Sequence, residues 1–312
     1  MSGPTSSLTP PAVIGVVGLG AMGAPMAKNL AAAGYRVHVF DAAPDAVARF
    51  AAETPCECPA DLAALGSASD AAITLLPYGD IVRAVLLGEG GVLAAPKPGL
   101  LVIDMSSSSP IGTRALAGEI AERRCTLIDA PVSGGVKGAV AGTLAIMAGG
   151  APDAVERAAP VLDAMGAVTH VGAVGAGHAM KALNNYLSAM NLAAAAEALI
   201  IGERFGLDPK TMVEVWNAST GRNTGTEHKI PAFVLSGSFR SAFALPLMAK
   251  DLRLALEIAH STGSPAELLE PLSSLYDASE RALGPGSDNT EVYRYLASLA
   301  TTTPDDGAGD GG

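Results

Sequence analysis

The sequence predicts an α/β protein: an N-terminal Rossmann-type, doubly wound and mostly parallel sheet, followed by an all-helical C-terminal domain joined to it by a long helix. Three observations lead there. Short apolar runs alternate with helix-period segments through residues 11–176, the pattern of strands covered by helices on both faces. A glycine-rich turn of the form G-x-G-x-x-G joins the first strand to the first helix. Beyond residue 177 the strand signals stop, and an alanine-rich stretch at 178–205 runs on without a turn signal.

Strands are expected at 12–17, 36–40, 72–76, 100–104 and 126–129, where Val, Ile and Leu cluster between turn residues. Helices are expected between them at 21–33, 44–51, 81–87 and 111–123. Gly34 stands where a helix C-terminus calls for a left-handed residue. Two more strands, at 143–148 and 168–171, flank a helix at 152–165. The second domain, 177–302, opens with the long helix, roughly 40 Å at 1.5 Å per residue. It continues with helices at 209–217, 247–261, 265–282 and 289–300. Residues 1–10 and the Asp- and Gly-rich tail at 303–312 are expected to be disordered.

Composition narrows the function classes. The formal net charge of −11 argues against nucleic acid, which needs clustered Lys and Arg, but leaves room for a small anionic substrate. Cys56, Cys58 and Cys125 have no partners at zinc-like spacing, so no metal site is expected. Unpaired thiols and the lack of a signal-peptide pattern lead us to expect a cytoplasmic protein. The most membrane-like segment, 182–202, carries Asn184, Asn185, Asn191 and Glu197, too polar for a lipid-facing span.

The turn Gly18-Leu19-Gly20-Ala21-Met22-Gly23 has the context that gives its motif meaning, with a strand before it and a helix after it. Gly18 permits the tight turn, Gly20 lets the backbone approach a pyrophosphate, and Gly23 lets the helix pack close to the strand. Asp41 ends the second strand, where an acid accepts hydrogen bonds from the adenosine ribose. A carboxylate there repels a 2′-phosphate, so NAD is expected in preference to NADP.

Three further segments stand out. In Asp129-Ala130-Pro131-Val132-Ser133-Gly134-Gly135 a strand runs into a hydroxyl and two glycines, which suits either carboxylate binding or a plain loop. Lys181 and Asn185 lie one turn apart on one face of the long helix. Lys250-Asp251-Leu252 falls in a later helix. His178, three positions before Lys181, suits a proton relay or a packing and capping role. Arg222 and Asn223 suit either closure over a substrate or a solvated loop.

With the stretches GLGAMGAPMAKNL (18–30), DAPVSGG (129–135), GHAMKALNN (177–185) and KDL (250–252) in this order, the chain resembles the β-hydroxyacid dehydrogenase family, which includes 3-hydroxyisobutyrate dehydrogenase and tartronate semialdehyde reductase. The resemblance implies NAD-dependent oxidation of a small 3-hydroxy acid to its semialdehyde, or the reverse. It makes Lys181 the general acid/base, Asn185 a substrate ligand, and Ser133, Gly134 and Gly135 the loop for the substrate carboxylate. It also places Leu76, Pro77, Ser107 and Lys250 against the cofactor, and implies a homodimer or homotetramer associating through the helical part. Ser107 stands where many members carry Thr.

The chemistry is consistent with those roles. Hydride transfer to an aldehyde leaves charge on its oxygen, which an amine of lowered pKa can protonate near neutral pH without a metal. Glycerate-type and 2-hydroxymethylglutarate-type dehydrogenases remain open within the family. The longer 6-phosphogluconate dehydrogenases and the imine reductases are less similar at length and at Lys181. A non-catalytic NAD(H)-binding protein is the alternative from another class.

Overall fold

The computed structural model describes residues 7–300 of the 312. These form two compact units: one runs to Asn184 and takes in Arg253–Ala266, and the other holds Asn185–Leu252 and the residues from Glu267 on.

The first unit is built on β1 (Val13–Val17), β2 (Arg36–Phe40), β3 (Ala71–Thr74), β4 (Leu101–Asp104), β5 (Thr126–Asp129), β6 (Val132–Ser133), β7 (Leu144–Gly149) and β8 (Gly166–Gly172). The sheet order is β2-β1-β3-β4-β5-β7-β6, with β8 also on β7. From β2 to β5 every pairing is parallel. Next, β7 runs antiparallel to β5 and β6, and β8 parallel to β7. Every residue of β1, β3 and β4 is buried, as in parallel strands covered on both faces. Alternate residues feed two cores. Ile14, Val16, Ile73 and Leu101 pack on one face, and Val17, Ala72 and Val102 on the other.

The covering helices are α1 (Gly23–Ala32), α2 (Pro44–Glu53), α3 (Leu62–Ala68), α4 (Gly79–Leu87), α5 (Pro110–Glu122), α6 (Gly135–Ala141) and α7 (Pro152–Asp163). Gly34 follows α1 at φ +90°, in the left-handed region expected of it. The seven-residue helices α3 and α6 were not foreseen. Of the N-terminal ten residues expected to be disordered, Leu8 is instead buried. Its N–H bonds Arg157 O at 3.1 Å, and its carbonyl accepts from Tyr35 Oη at 3.0 Å. Residues 1–6 and the tail at 303–312 lie outside the described residues.

The second unit is helical, and no named strand occurs among its described residues. The long helix α8 (Ala176–Phe205) is followed by α9 (Pro209–Asn217), a π-helix (Gly225–Val234), α10 (Leu245–Thr262), α11 (Leu269–Leu283), a 3-10 turn (Asn289–Glu291) and α12 (Val292–Leu299). Leu192, Leu199, Val213, Leu252, Leu272 and Tyr276 are buried in it. Helices α8 and α9 approach closely at Gly202, where a Cβ would stand 2.1 Å from Met212 Cε. The two compact units divide inside α8, at Asn184/Asn185. The first turns of α8, with Lys181, belong to the first unit because strand ends hold them there.

Candidate active site

The parallel strands β1, β3, β4 and β5 all end at one edge of the sheet, where ligands bind in doubly wound folds. Three turns leaving that edge carry the expected cofactor residues, and the turn after β5 carries the expected substrate loop. At the first turn, Gly18 sits at φ +102°, and a Cβ there would meet Leu75 O at 2.4 Å. A Cβ on Gly23 would stand 1.9 Å from Gly18 O, so the start of α1 is pressed onto the turn. Around Gly20 there is open space, with nothing within 4 Å of a built Cβ. No side chain caps α1 and its first turn holds no acid, which leaves its positive end to an anion. Leu19, Ala21 and Met22 complete the turn.

Asp41 follows β2 and is half-buried. Its Oδ2 accepts from Leu19 N at 2.7 Å and its Oδ1 from Ala43 N at 2.8 Å. The carboxylate thus ties the glycine turn to the second strand, and each oxygen keeps a lone pair for a ribose hydroxyl. Beside it lies a pocket of about 430 Å³ lined by Val39, Ala42, Pro44, Val47, Ala51 and Pro59, apolar enough for an adenine. The open space over Gly20, the uncapped helix and this pocket fit a dinucleotide. Leu76 and Pro77 follow β3, and Leu76 N donates to Ser106 Oγ at 3.0 Å, joining that turn to the one after β4. Ser107 is half-buried in the turn after β4.

Ser133 closes the short strand β6, paired with Ala145 of β7. Gly134 (φ +130°) and Gly135 (φ +60°) then turn the chain into α6, so Ser133 and the first N–H groups of a helix share one loop. Lys181 stands on α8 near its start, half-buried. Asn185, one turn on, is buried in the second unit, where its Nδ2 donates to Asp251 Oδ2 at 2.5 Å. Asp251 is itself buried, with Lys250 Nζ 3.4 Å from its Oδ1. Sequence reasoning assigned no role to Asp251, although it sits inside the KDL stretch.

His178 is a buried residue of the first unit. Its Nδ1 lies 2.8 Å from Thr113 Oγ1, and its ring faces the buried carboxylates of Asp104 (3.7 Å) and Asp129 (3.8 Å). Burial pushes the Asp129 carboxyl up, against the pull of the His178 ring and of backbone N–H donors. A carboxyl raised by folding adds stability below its unfolded value that fades as pH rises through its folded one, so ionised Asp129 is held at a cost. The available signal was that apolar strands end in Asp: Asp104 and Asp129 close β4 and β5, Asp104 accepting from Ser106 N and Asp129 from Gly175 N and His178 N. Asn223 serves locally, its Oδ1 accepting from Gly225 N (2.8 Å) and Thr226 N (3.2 Å) at the start of the π-helix. Arg222 is exposed, 3.5 Å from Glu227 Oε1.

Comparison with known proteins agrees with this geometry. Residues 13–175 match the family described as the NAD binding domain of 6-phosphogluconate dehydrogenase. Residues 175–296 match the one described as NAD-binding of NADP-dependent 3-hydroxyisobutyrate dehydrogenase. The chain is 43% identical to 2-(hydroxymethyl)glutarate dehydrogenase of Eubacterium barkeri, over 88% of this chain and 91% of that one. It is 40% identical to the mitochondrial 3-hydroxyisobutyrate dehydrogenase of Homo sapiens, over 91% and 86%. A solved structure of Mycobacterium tuberculosis 3-hydroxyisobutyrate dehydrogenase with L-serine superimposes with TM-score 0.85 at 36% identity, covering 91% of this chain and 99% of that one.

Proposed function

The chain belongs to the β-hydroxyacid dehydrogenase family, and on that premise we propose that it is an NAD-dependent oxidoreductase interconverting a small 3-hydroxy acid and its semialdehyde. One observation carries the reading. Within a single compact unit, the edge that presents the dinucleotide turn also presents the Ser133 loop and the start of the helix bearing Lys181.

Bound NAD supplies the hydride acceptor. The turn from Gly18 to Gly23 and the start of α1 would hold its pyrophosphate, Asp41 its ribose, and Leu76, Pro77 and Ser107 would line it; Lys250 is assigned to it by the family resemblance alone. The Ser133 hydroxyl and the N–H groups after Gly134 and Gly135 hold the substrate carboxylate. The Lys181 amine takes the hydroxyl proton as hydride leaves the same carbon, and returns it to the oxygen in the reverse direction. Asn185, oriented by Asp251, donates to that oxygen.

Parallel assays of small hydroxy acids (3-hydroxyisobutyrate, 2-hydroxymethylglutarate, glycerate, threonate and L-serine) with NAD and NADP test the assignment. Turnover of at least one with NAD is expected, and cofactor binding without turnover across the set would sink it. Asp41→Asn keeps an acceptor but removes the charge that faces a 2′-phosphate. It is expected to lower the NAD:NADP ratio of kcat/KM about 10-fold, whereas an unchanged ratio assigns the preference elsewhere.

The same proposal pairs the chain with a second copy through the outer face of α8. Leu187 is 61% exposed and Phe205 84%, and Ile201 is exposed on the same helix. Beside it runs an apolar groove lined by Met190, Ala193, Leu268, Leu272, Leu275 and Leu296. Apolar surface of this extent on a helix marks an interface. Sedimentation is expected to give a dimer or tetramer, and Leu187→Glu with Ile201→Glu a monomer. A monomeric wild type would contradict the pairing. Among the described residues no helix is long and apolar enough to cross a membrane. The free thiols of Cys56, Cys58 and Cys125 support a reducing compartment such as the cytoplasm.

A further inference from the structure

We infer that Asp129 is a positioning residue for the proposed reaction: its buried carboxylate couples the strand that feeds the substrate loop to the helix that carries Lys181. The inference rests on the reading above and adds a residue to it that touches neither substrate nor cofactor.

Asp129 closes β5, four positions before Ser133 in the chain. Its side chain accepts from Gly175 N at 2.7 Å (Oδ1) and from His178 N at 2.8 Å (Oδ2). Gly175 immediately precedes α8 and His178 lies in its first turn, where orphan donors need an acceptor and the dipole favours an anion. The acceptor comes from the end of β5, 46 positions before Gly175 in the chain. Lys181 follows one turn after His178 on the same helix. Any shift of the carboxylate therefore moves the base of the lysine relative to the Ser133 loop.

Packing leaves this contact no slack. A Cβ on Gly177 would stand 2.2 Å from Met147 O and 2.9 Å from Asp129 Oδ2. One on Gly149 would stand 2.6 Å from Asp129 Oδ1 and 2.7 Å from Gly177 N. Two glycines thus let the helix start rest directly on the ends of β5 and β7.

His178 locks the arrangement from the other side. The single Thr113 hydroxyl proton goes to Ser109 O at 2.9 Å, so Thr113 Oγ1 accepts from His178 Nδ1 at 2.8 Å. The opposite nitrogen, Nε2, faces Asp104 Oδ2, which also accepts from Ser108 Oγ at 3.0 Å. The titratable groups around the cap are therefore His178 on α8 and, across its ring, Asp104 on β4.

The full-length Asp129→Asn protein tests this. An amide retains one acceptor but turns an N–H toward a backbone donor, so the first turn of α8 is released without a change of volume. The expected result is a fall in kcat of about 10²-fold, the effect of a displacement of about 1 Å, with NADH affinity within about twofold of wild type. The limb of the kcat–pH profile belonging to the lysine should move as well. Thr113→Val, milder and isosteric, should shift the same limb with a smaller loss, and it decides the matter if Asp129→Asn does not fold. Retention of kcat within twofold, or loss of kcat and NADH affinity together with an unmoved pH limb, overturns the inference. A wild type that binds NADH but oxidises no hydroxy acid overturns the functional reading instead. Amide exchange at residues 175–181 then decides the coupling: faster exchange in Asp129→Asn supports it, and unchanged exchange overturns it.

Discussion

Lys181→Ala lowers kcat for hydroxy-acid oxidation by about 10³-fold, the size of a lost general acid/base, while NAD(H) affinity stays within about twofold. The residue stands past the first turn of α8, in the same unit as the glycine turn but on a different element. Removing its amine leaves the turn, Asp41 and the adenine pocket untouched. The loss should fall on kcat and kcat/KM alike, because the proton moves only in the transition state. A small exogenous amine should restore part of the rate in the vacated space. Near-normal turnover by Lys181→Ala with a good substrate would remove Lys181 from the chemistry.

Gly23→Ala has the opposite signature. Its Cβ would lie 1.9 Å from Gly18 O and 3.0 Å from Gly18 C, backbone atoms that cannot rotate aside. The start of α1 must lift off the turn, at a cost of about 3 kcal/mol for overpacking a tight contact. The same movement displaces the N–H groups meant for the pyrophosphate, so NADH affinity should fall by at least about 100-fold, the equivalent of about 2.7 kcal/mol. Gly20→Ala is the matched control. Nothing lies within 4 Å of its Cβ, so thermal stability without cofactor should be unchanged while affinity still falls. Thermal unfolding with and without NADH separates the two. If Gly23→Ala retains both stability and binding, the turn is not the cofactor cradle.

Much of this was legible in the sequence because the constraints are local. A glycine that must sit at φ +102° and a helix that must touch a strand leave their mark within six residues. Burial on both faces makes β1, β3 and β4 uniformly apolar. The unforeseen parts depend on distant partners. Asp251 holds Asn185 from 66 positions away, and nothing near Asn185 announces it. His178 reads as a polar residue at a helix start; only the fold closes Asp104 and Asp129 around it. The antiparallel return of β7 follows from the short α6, whose seven residues, two of them glycine, carry little periodicity. In the π-helix at Gly225–Val234 the residues 223–226 form a local cap, and its i→i+5 pattern has no simple sequence signature. Leu8 falls in the stretch expected to be disordered and is fixed by Arg157 and Tyr35, both outside its neighbourhood.

The most direct test mixes the purified protein with NAD and each small hydroxy acid and follows reduced nicotinamide, with Lys181→Ala alongside. The account predicts NADH from at least one 3-hydroxy acid by the wild type, little with NADP, and almost none from Lys181→Ala although that variant still binds NADH. Failure of the wild type with every hydroxy acid, or equal rates from the two proteins, would contradict it.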